Sequence, residues 1–290
     1  MKKLWMLRHK LRFFLQRKLP SLLLRLAVMV AAGMVAAIIL FLVGYILVKG
    51  IPHLTPSLFA WRYNSGNVSL TPALINTLLM TALALIIAAP LGICAAIYLT
   101  EYAKRGNRLV PLVRMAAETL SGIPSIVYGL FGMLFFVVAL KWGLSLLAGA
   151  CTLAIMILPL IMRTTEEALR AVPDSFREGS FGLGAGRLRT VMSVVLPSAV
   201  PGILAGIILA VGRVVGETAA LIFTAGTVAK VPESLLSSTR TLAVHMYNLS
   251  GEGLYIDQTY ATAVILLALV LCINALSAFL AKKITGGQHG

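Results

Sequence analysis

The chain has 290 residues, of which 59% are hydrophobic and only 12% are charged, about half the charge of an ordinary soluble domain. That composition excludes a soluble globular fold. The net charge of +15 would suit a nucleic-acid binder, but the Lys and Arg residues stand beside long apolar runs, so they read as topology signals and no nucleic-acid partner is expected. Cys94, Cys151 and Cys272 are scattered singly through apolar stretches, without disulfide or metal-ligand spacing.

Residues 1–21 are basic and interleaved with Trp5, Phe13 and Phe14, which predicts a cytoplasmic or interfacial segment on an anionic leaflet. The apolar run at 22–48 is too long for the core of a signal peptide, so it reads as an uncleaved first span that opens a membrane domain over 22–290. A loop over 49–71 carries Trp61 and Tyr63 toward an interface. A second span covers 72–99 and ends in a short charged turn at 101–108. A third apolar segment, 111–140, contains Ser121-Gly122-Ile123-Pro124-Ser125, and a proline there needs other helices or water to satisfy the freed backbone. Spans at 144–162, 198–226 and 259–281 complete an all-α protein of six spans. No internal repeat is visible.

Lys and Arg residues fix the expected orientation. With both termini in the cytoplasm, the inner regions carry eight (1–25), four (101–114), five (163–189) and two (282–283), against five outside. Such a bias predicts that both termini lie inside.

Two charges fall within the fifth span, Arg213 and Glu217. Arg213 lies about 22 Å along that helix, near the bilayer middle. A charge there must face a polar interior, and Glu217 follows one turn later on the same face, where it can neutralise Arg213. The pair reads either as a structural ion pair or as a substrate pathway, since a guanidinium holds an oxyanion through two parallel hydrogen bonds. Arg163 closes the fourth span and, by position alone, snorkels to the inner interface. Glu118 is expected to pair with Arg114 one turn before it. Arg170, Arg177, Arg187 and Arg189 are expected to be solvated or lipid-facing. Ser121, Ser125 and Tyr128 are candidates for a polar path, although hydroxyls in spans more often bond their own backbone.

Between the fourth and fifth spans lies a polar, glycine-broken island, 175–197, within a loop spanning 163–197. Ser175 and Glu178 have capping-box spacing, which predicts a helix from Phe176. Gly182, Gly184 and Gly186 would end it, and a second helix from Arg187 would stop at Pro197. It is either an ordinary cytoplasmic loop or a rigid helix–turn–helix that receives a push from a soluble partner.

Glu178-Gly179-Ser180, Leu183-Gly184-Ala185 and Val194-Val195-Leu196-Pro197 resemble the EAA loop of ABC importer permeases, with Gly179 and Ser180 replacing two equally small alanines. In that family the loop docks into a cleft on the ATP-hydrolysing subunit, which implicates Ser175, Glu178, Gly179, Ser180, Gly184, Ala185, Leu196 and Pro197 in coupling. The stretches at 124–130, 163–166 and 212–218 are similar to the phosphate-specific importer permeases, and 219–225 favours their A-type subunit. The resemblance implicates Arg163, Arg213 and Glu217 in phosphate passage. It also implies a homologous C-type permease, a cytoplasmic ATPase dimer that holds ATP and Mg, and an extracytoplasmic phosphate-binding protein.

No G-x-x-x-x-G-K-[ST] occurs, so no phosphate-cradling nucleotide loop is expected. The histidines are dispersed, and no metal site or cofactor is expected on this chain. The sequence therefore reads as the non-enzymatic permease subunit of an ATP-driven phosphate importer working by alternating access. The competing readings are a permease for molybdate or sulfate, and an ion-gradient carrier in which Glu217 relays protons.

Overall fold

The structure, a computed structural model, describes residues 19–104 and 106–286. All regular structure among them is helical. The expected basic segment at 1–21 lies almost wholly outside the described residues. Helix α1, Leu19–Gly50, is apolar on every side and almost entirely exposed, as suits a helix meeting lipid or another subunit. It touches the rest through α11, Ile256–Gly286, where Gly50 abuts Tyr260 and Tyr45 meets the Tyr260 ring edge-on at 5.9 Å.

At the centre stands α5, Leu146–Arg170, started by Ser145, whose side chain accepts from the Ala148 amide. It packs against α2, Thr71–Ile97, and α8, Leu196–Val215. Small residues let these helices approach closely: Gly92 of α2 faces Ile161, while Gly206 and Gly202 of α8 face Thr164 and Ala168. Around them Met80, Leu153, Met156, Ile157 and Ile161 form the buried core.

Among the described residues, five helices are long and apolar enough to cross a membrane, and a sixth crossing exists if one bent pair counts as a span. That pair corrects the expected third span. Helix α3, Leu109–Ser121, and the stretch from Ser125 to Ala139, which begins as α4, Ser125–Gly132, meet at 102°. Pro124, with no amide to donate, sits at the break with extended ψ, so the helix cannot continue through it. Tyr128 braces the corner by donating its hydroxyl to the Leu120 carbonyl at 2.7 Å.

Three further boundaries differ from expectation. The fourth span runs eight residues beyond 162, to Arg170, so Arg163 lies within the helix. Pro197 does not stop a helix: one 29-residue run extends from Arg187 to Val215. A widened π-helical turn, Val191–Val195, precedes the proline, and Ser198 donates its hydroxyl to the Val194 carbonyl one turn back at 2.8 Å. Finally the fifth span ends at Val215, with Gly216 at its C-terminus, and a short α9, Ala219–Thr224, follows after a break.

The loop after α5 forms α6, Asp174–Gly182, and α7, Arg187–Thr190. Gly184 turns the chain between them at φ +81°, a conformation that glycine adopts without strain. Ser175 does not cap α6. The helix begins at Asp174 behind Pro173, and no side-chain cap is formed. An eleven-residue helix α10, Leu242–Glu252, capped by Thr241, lies between α9 and α11.

Candidate functional site

The antiparallel packing of α8 on α5 fixes the depth of Arg213. With Gly206 opposite Thr164 and Gly202 opposite Ala168, Arg213 falls level with Ile157. That is about 16 Å from the start of α5 and about 20 Å from Arg170, near the middle of the membrane. Arg213 is half-buried and, among the described residues, has no ion pair or hydrogen bond. It lies within electrostatic reach of Tyr128.

The expected Arg213–Glu217 pair does not form. Gly216 ends the helix before one turn is complete, so Glu217 leaves the face of Arg213. Its buried carboxylate instead accepts from the Ala220 amide at 3.1 Å and stabilises the start of α9. Arg213 thus remains a cation without a carboxylate at mid-membrane depth, an arrangement suited to meeting a mobile anion.

Arg163 lies about 9 Å nearer the loop end of α5 than the level of Arg213. Its guanidinium is mostly exposed and donates to Glu167 at 3.1 Å. Beside it a cavity of about 210 Å³ opens between α3 and α5, lined by Arg114, Glu118, Ser121, Arg163, Glu166 and Arg170. Arg114 does not pair with Glu118. It crosses to Glu166 at 2.6 Å, and Arg170 reaches the same carboxylate oxygen at 2.6 Å. Glu166, 8% exposed, therefore ties α3 to α5. Ser121 donates to the Ala117 carbonyl at 3.0 Å, and Ser125 is half-buried at the start of α4. The structure brings Arg163 and Ser121 to one cavity, but places Tyr128 and Arg213 apart from it.

The 175–197 island separates into an exposed face and an anchored one. Ser175, Glu178, Gly179 and Gly184 are exposed, with Phe176, Phe181, Leu183 and Leu188 presenting apolar surface beside them. Ser180 bonds Thr190 hydroxyl to hydroxyl at 2.9 Å, Ala185 is half-buried, and Leu196 packs into the core below. Arg177 is not solvated as expected. It is 15% exposed and grips Glu101, with Nη2 donating to Oε1 at 2.7 Å and Nε at 3.2 Å. Those bonds raise its pKa above the ordinary arginine value. Glu101 sits in a π-helical turn, Tyr98–Tyr102, that extends α2. The only legible signal was a lone acid at the end of an apolar run facing a chain rich in arginine.

At the other end of the bundle Arg240 lies over the Tyr63 ring, 4.6 Å from its centroid, and Tyr63 meets His245 edge-on. His245 is fully buried, and neither ring nitrogen has a hydrogen bond of good geometry. Burial first, and the Arg240 charge second, push its pKa down to about 3. The folded protein thus keeps His245 neutral where the unfolded chain, near 6.5, takes up a proton. Stability is fully present above the unfolded value and falls as pH drops from about 6.5 toward 3, by up to about 1.4 kcal/mol per pH unit. His245→Leu is expected to flatten that limb of the thermal-stability profile of purified protein. Superimposable wild-type and variant profiles would contradict the assignment.

Residues 88–286 match the family described as binding-protein-dependent transport system inner membrane component. The chain belongs to that family. It is a transport subunit, a multi-pass membrane permease of the ABC transporter class. The permease is 36% identical over 241 residues to a probable ABC transporter permease of Bacillus subtilis (strain 168), YqgI, covering 78% of this chain and 82% of that one. It is 40% identical over 179 residues to the phosphate transport system permease protein PstA of Yersinia pestis, covering 61% and 60% of the two chains. It is also 32% identical over 237 residues to PstC of Mesorhizobium japonicum (strain LMG 29417 / CECT 9101 / MAFF 303099), covering 72% of each. Among solved structures, the fold matches a bacterial alginate ABC transporter with its periplasmic protein at TM-score 0.63 and 17% identity, over 94% of this chain and 98% of that one. An inward-facing methionine transporter, MetNI, matches at 0.59 and 20%, over 83% and 97%.

Proposed function

We propose that the permease is the A-type half of the membrane pathway of an ATP-driven importer for inorganic phosphate. The observation that carries this reading is Arg213, a guanidinium at mid-membrane depth with no carboxylate partner among the described residues. The relatives named as phosphate transport permeases support the choice of anion. Phosphate needs a donor that matches its paired oxygens, and a guanidinium supplies that fork. Arg163, exposed beside the cavity nearer the loop, would take the anion next, in competition with Glu167. Glu217 keeps α9 in place rather than neutralising Arg213.

The remaining parts of the importer lie on other chains. A second, C-type permease completes the pathway, a phosphate-binding protein delivers the anion outside, and an ATPase dimer holding ATP and Mg docks on the exposed face of α6. Both chain termini lie in the cytoplasm, by the Lys and Arg bias, and the bacterial relatives support a prokaryotic cytoplasmic membrane. The membrane domain runs from residue 22 onward. Docking outside and nucleotide closure inside bias one two-state bundle between outward and inward access. A proton relay through Glu217 has less support, because its carboxylate is committed to a backbone amide. ATP hydrolysis by the co-purified complex is expected to rise several-fold with phosphate-loaded binding protein. Equal stimulation by molybdate or sulfate would move the substrate assignment to another oxyanion.

A further inference from the structure

The coupling helix α6 is joined by a buried ion pair to the end of α2, a helix far from it in sequence. Arg177 lies on α6 and Glu101 on the π-helical end of α2, 76 residues earlier. Their side chains are 15% and 9% exposed, and the guanidinium meets the carboxylate through two nitrogens. The same guanidinium donates to the Leu169 and Val172 carbonyls at 2.9 and 2.8 Å, closing the end of α5. Arg187, just past the turn, lies 5.5 Å from the centroid of the Tyr102 ring, next to Glu101. Three residues further along α6, Ser180 meets Thr190, next to the π-helical turn that leads into α8. Thus α6 is tied to α2 through Glu101, to α5 through its own arginine, and to α8 through Thr190.

We infer that Glu101 and Arg177 are positioning residues that carry displacement of α6 into α2, and so into the helix packed most extensively on the centre of the bundle. The physical ground is stiffness. The chain itself joins α6 to α5 through residues 171–173 and to α7 and α8 through a glycine turn, whereas α2 has no nearby covalent link to α6. Without the ion pair, α2 would receive motion of α6 mainly by way of α5 and of Arg187 over Tyr102, and neither route replaces a charge-assisted, two-nitrogen bond. The π-helical turn places the Glu101 carboxylate under α6, and such widened turns commonly mark functional positions.

This inference rests on the reading of the chain as an ATP-coupled importer subunit, and the wild-type complex separates the two. If wild-type ATP hydrolysis does not respond to loaded binding protein, the importer reading fails before any variant is compared. With that response present, Glu101→Gln and Arg177→Lys are each expected to assemble with the ATPase and keep basal hydrolysis. Phosphate transported per ATP hydrolysed should fall about tenfold in each. Glu101→Gln keeps the volume and one acceptor, and Arg177→Lys keeps the charge but loses the fork. Because the two residues form one link, Glu101→Gln/Arg177→Lys should be no more uncoupled than either single variant. Wild-type coupling in either assembled single variant would overturn the inference, as would independent losses that multiply to about a hundredfold in the double variant. Lower yield with an unchanged transport-to-ATP ratio would also overturn it, since that marks a purely structural pair.

Discussion

Arg213→Gln is expected to leave the permease assembled with its partners while lowering phosphate uptake by about two orders of magnitude. Losing one charged partner of a desolvated anion costs about 2–5 kcal/mol, and each 1.4 kcal/mol is tenfold. Assembly should survive because no carboxylate among the described residues is left unpaired by the change. The pattern separates pathway from packing. A structural arginine paired with Glu217 would instead have made the single substitution destabilising and the double neutral substitution curative. Arg213→Lys should fall between wild type and glutamine, because an ammonium lacks the planar fork. Radiolabelled phosphate uptake, normalised to complex recovered from the membrane, provides the readout. Near-normal uptake by Arg213→Gln would remove Arg213 from the pathway.

The largest stability effect is expected at Glu166. Its single oxygen receives both Arg114 and Arg170, and Arg114 Nε is already buried without a partner. Glu166→Ala leaves two cations facing one another across α3 and α5. Breaking a buried pair typically costs about 3–5 kcal/mol. Arg170 is 54% exposed and can turn to water, so the loss should fall near the low end, about 3 kcal/mol. Glu166→Gln, which keeps one acceptor, should lose roughly half as much. Thermal unfolding of the detergent-purified permease measures both. A change below about 0.5 kcal/mol for Glu166→Ala would contradict its place as the tie between α3 and α5.

Long apolar runs made most crossings legible, because the need to bury every backbone group within its own helix leaves few alternatives in lipid. Helices α1, α2, α5 and α11 appear where hydropathy places them, with ends shifted by up to eight residues. The turn at Gly184 was legible too, since glycine clusters announce positive φ. Breaks were harder to read. Pro124 and Pro197 carry the same chemistry, yet one bends the chain by 102° and the other sits inside a continuous run. The difference lies in a π-helical turn before Pro197 that no residue in Val191–Val195 advertises. Glu217 was misplaced because Gly216 ended a helix whose periodicity seemed to continue. Long-range pairs were invisible for a different reason. With 25 basic and 10 acidic residues, each carboxylate has several arginines within sequence reach. Only the packing of α3 on α5, and of α6 beneath α2, decides that Glu166 takes Arg114 and Glu101 takes Arg177.

The most direct test of the importer assignment is phosphate uptake into vesicles that contain the permease with its C-type partner and ATPase, and loaded binding protein outside. Uptake is expected to require ATP inside and to continue at the same rate after a protonophore collapses the proton gradient. Excess molybdate or sulfate should leave it unchanged. Uptake that stops with the gradient and proceeds without ATP would contradict the account and favour an ion-coupled carrier.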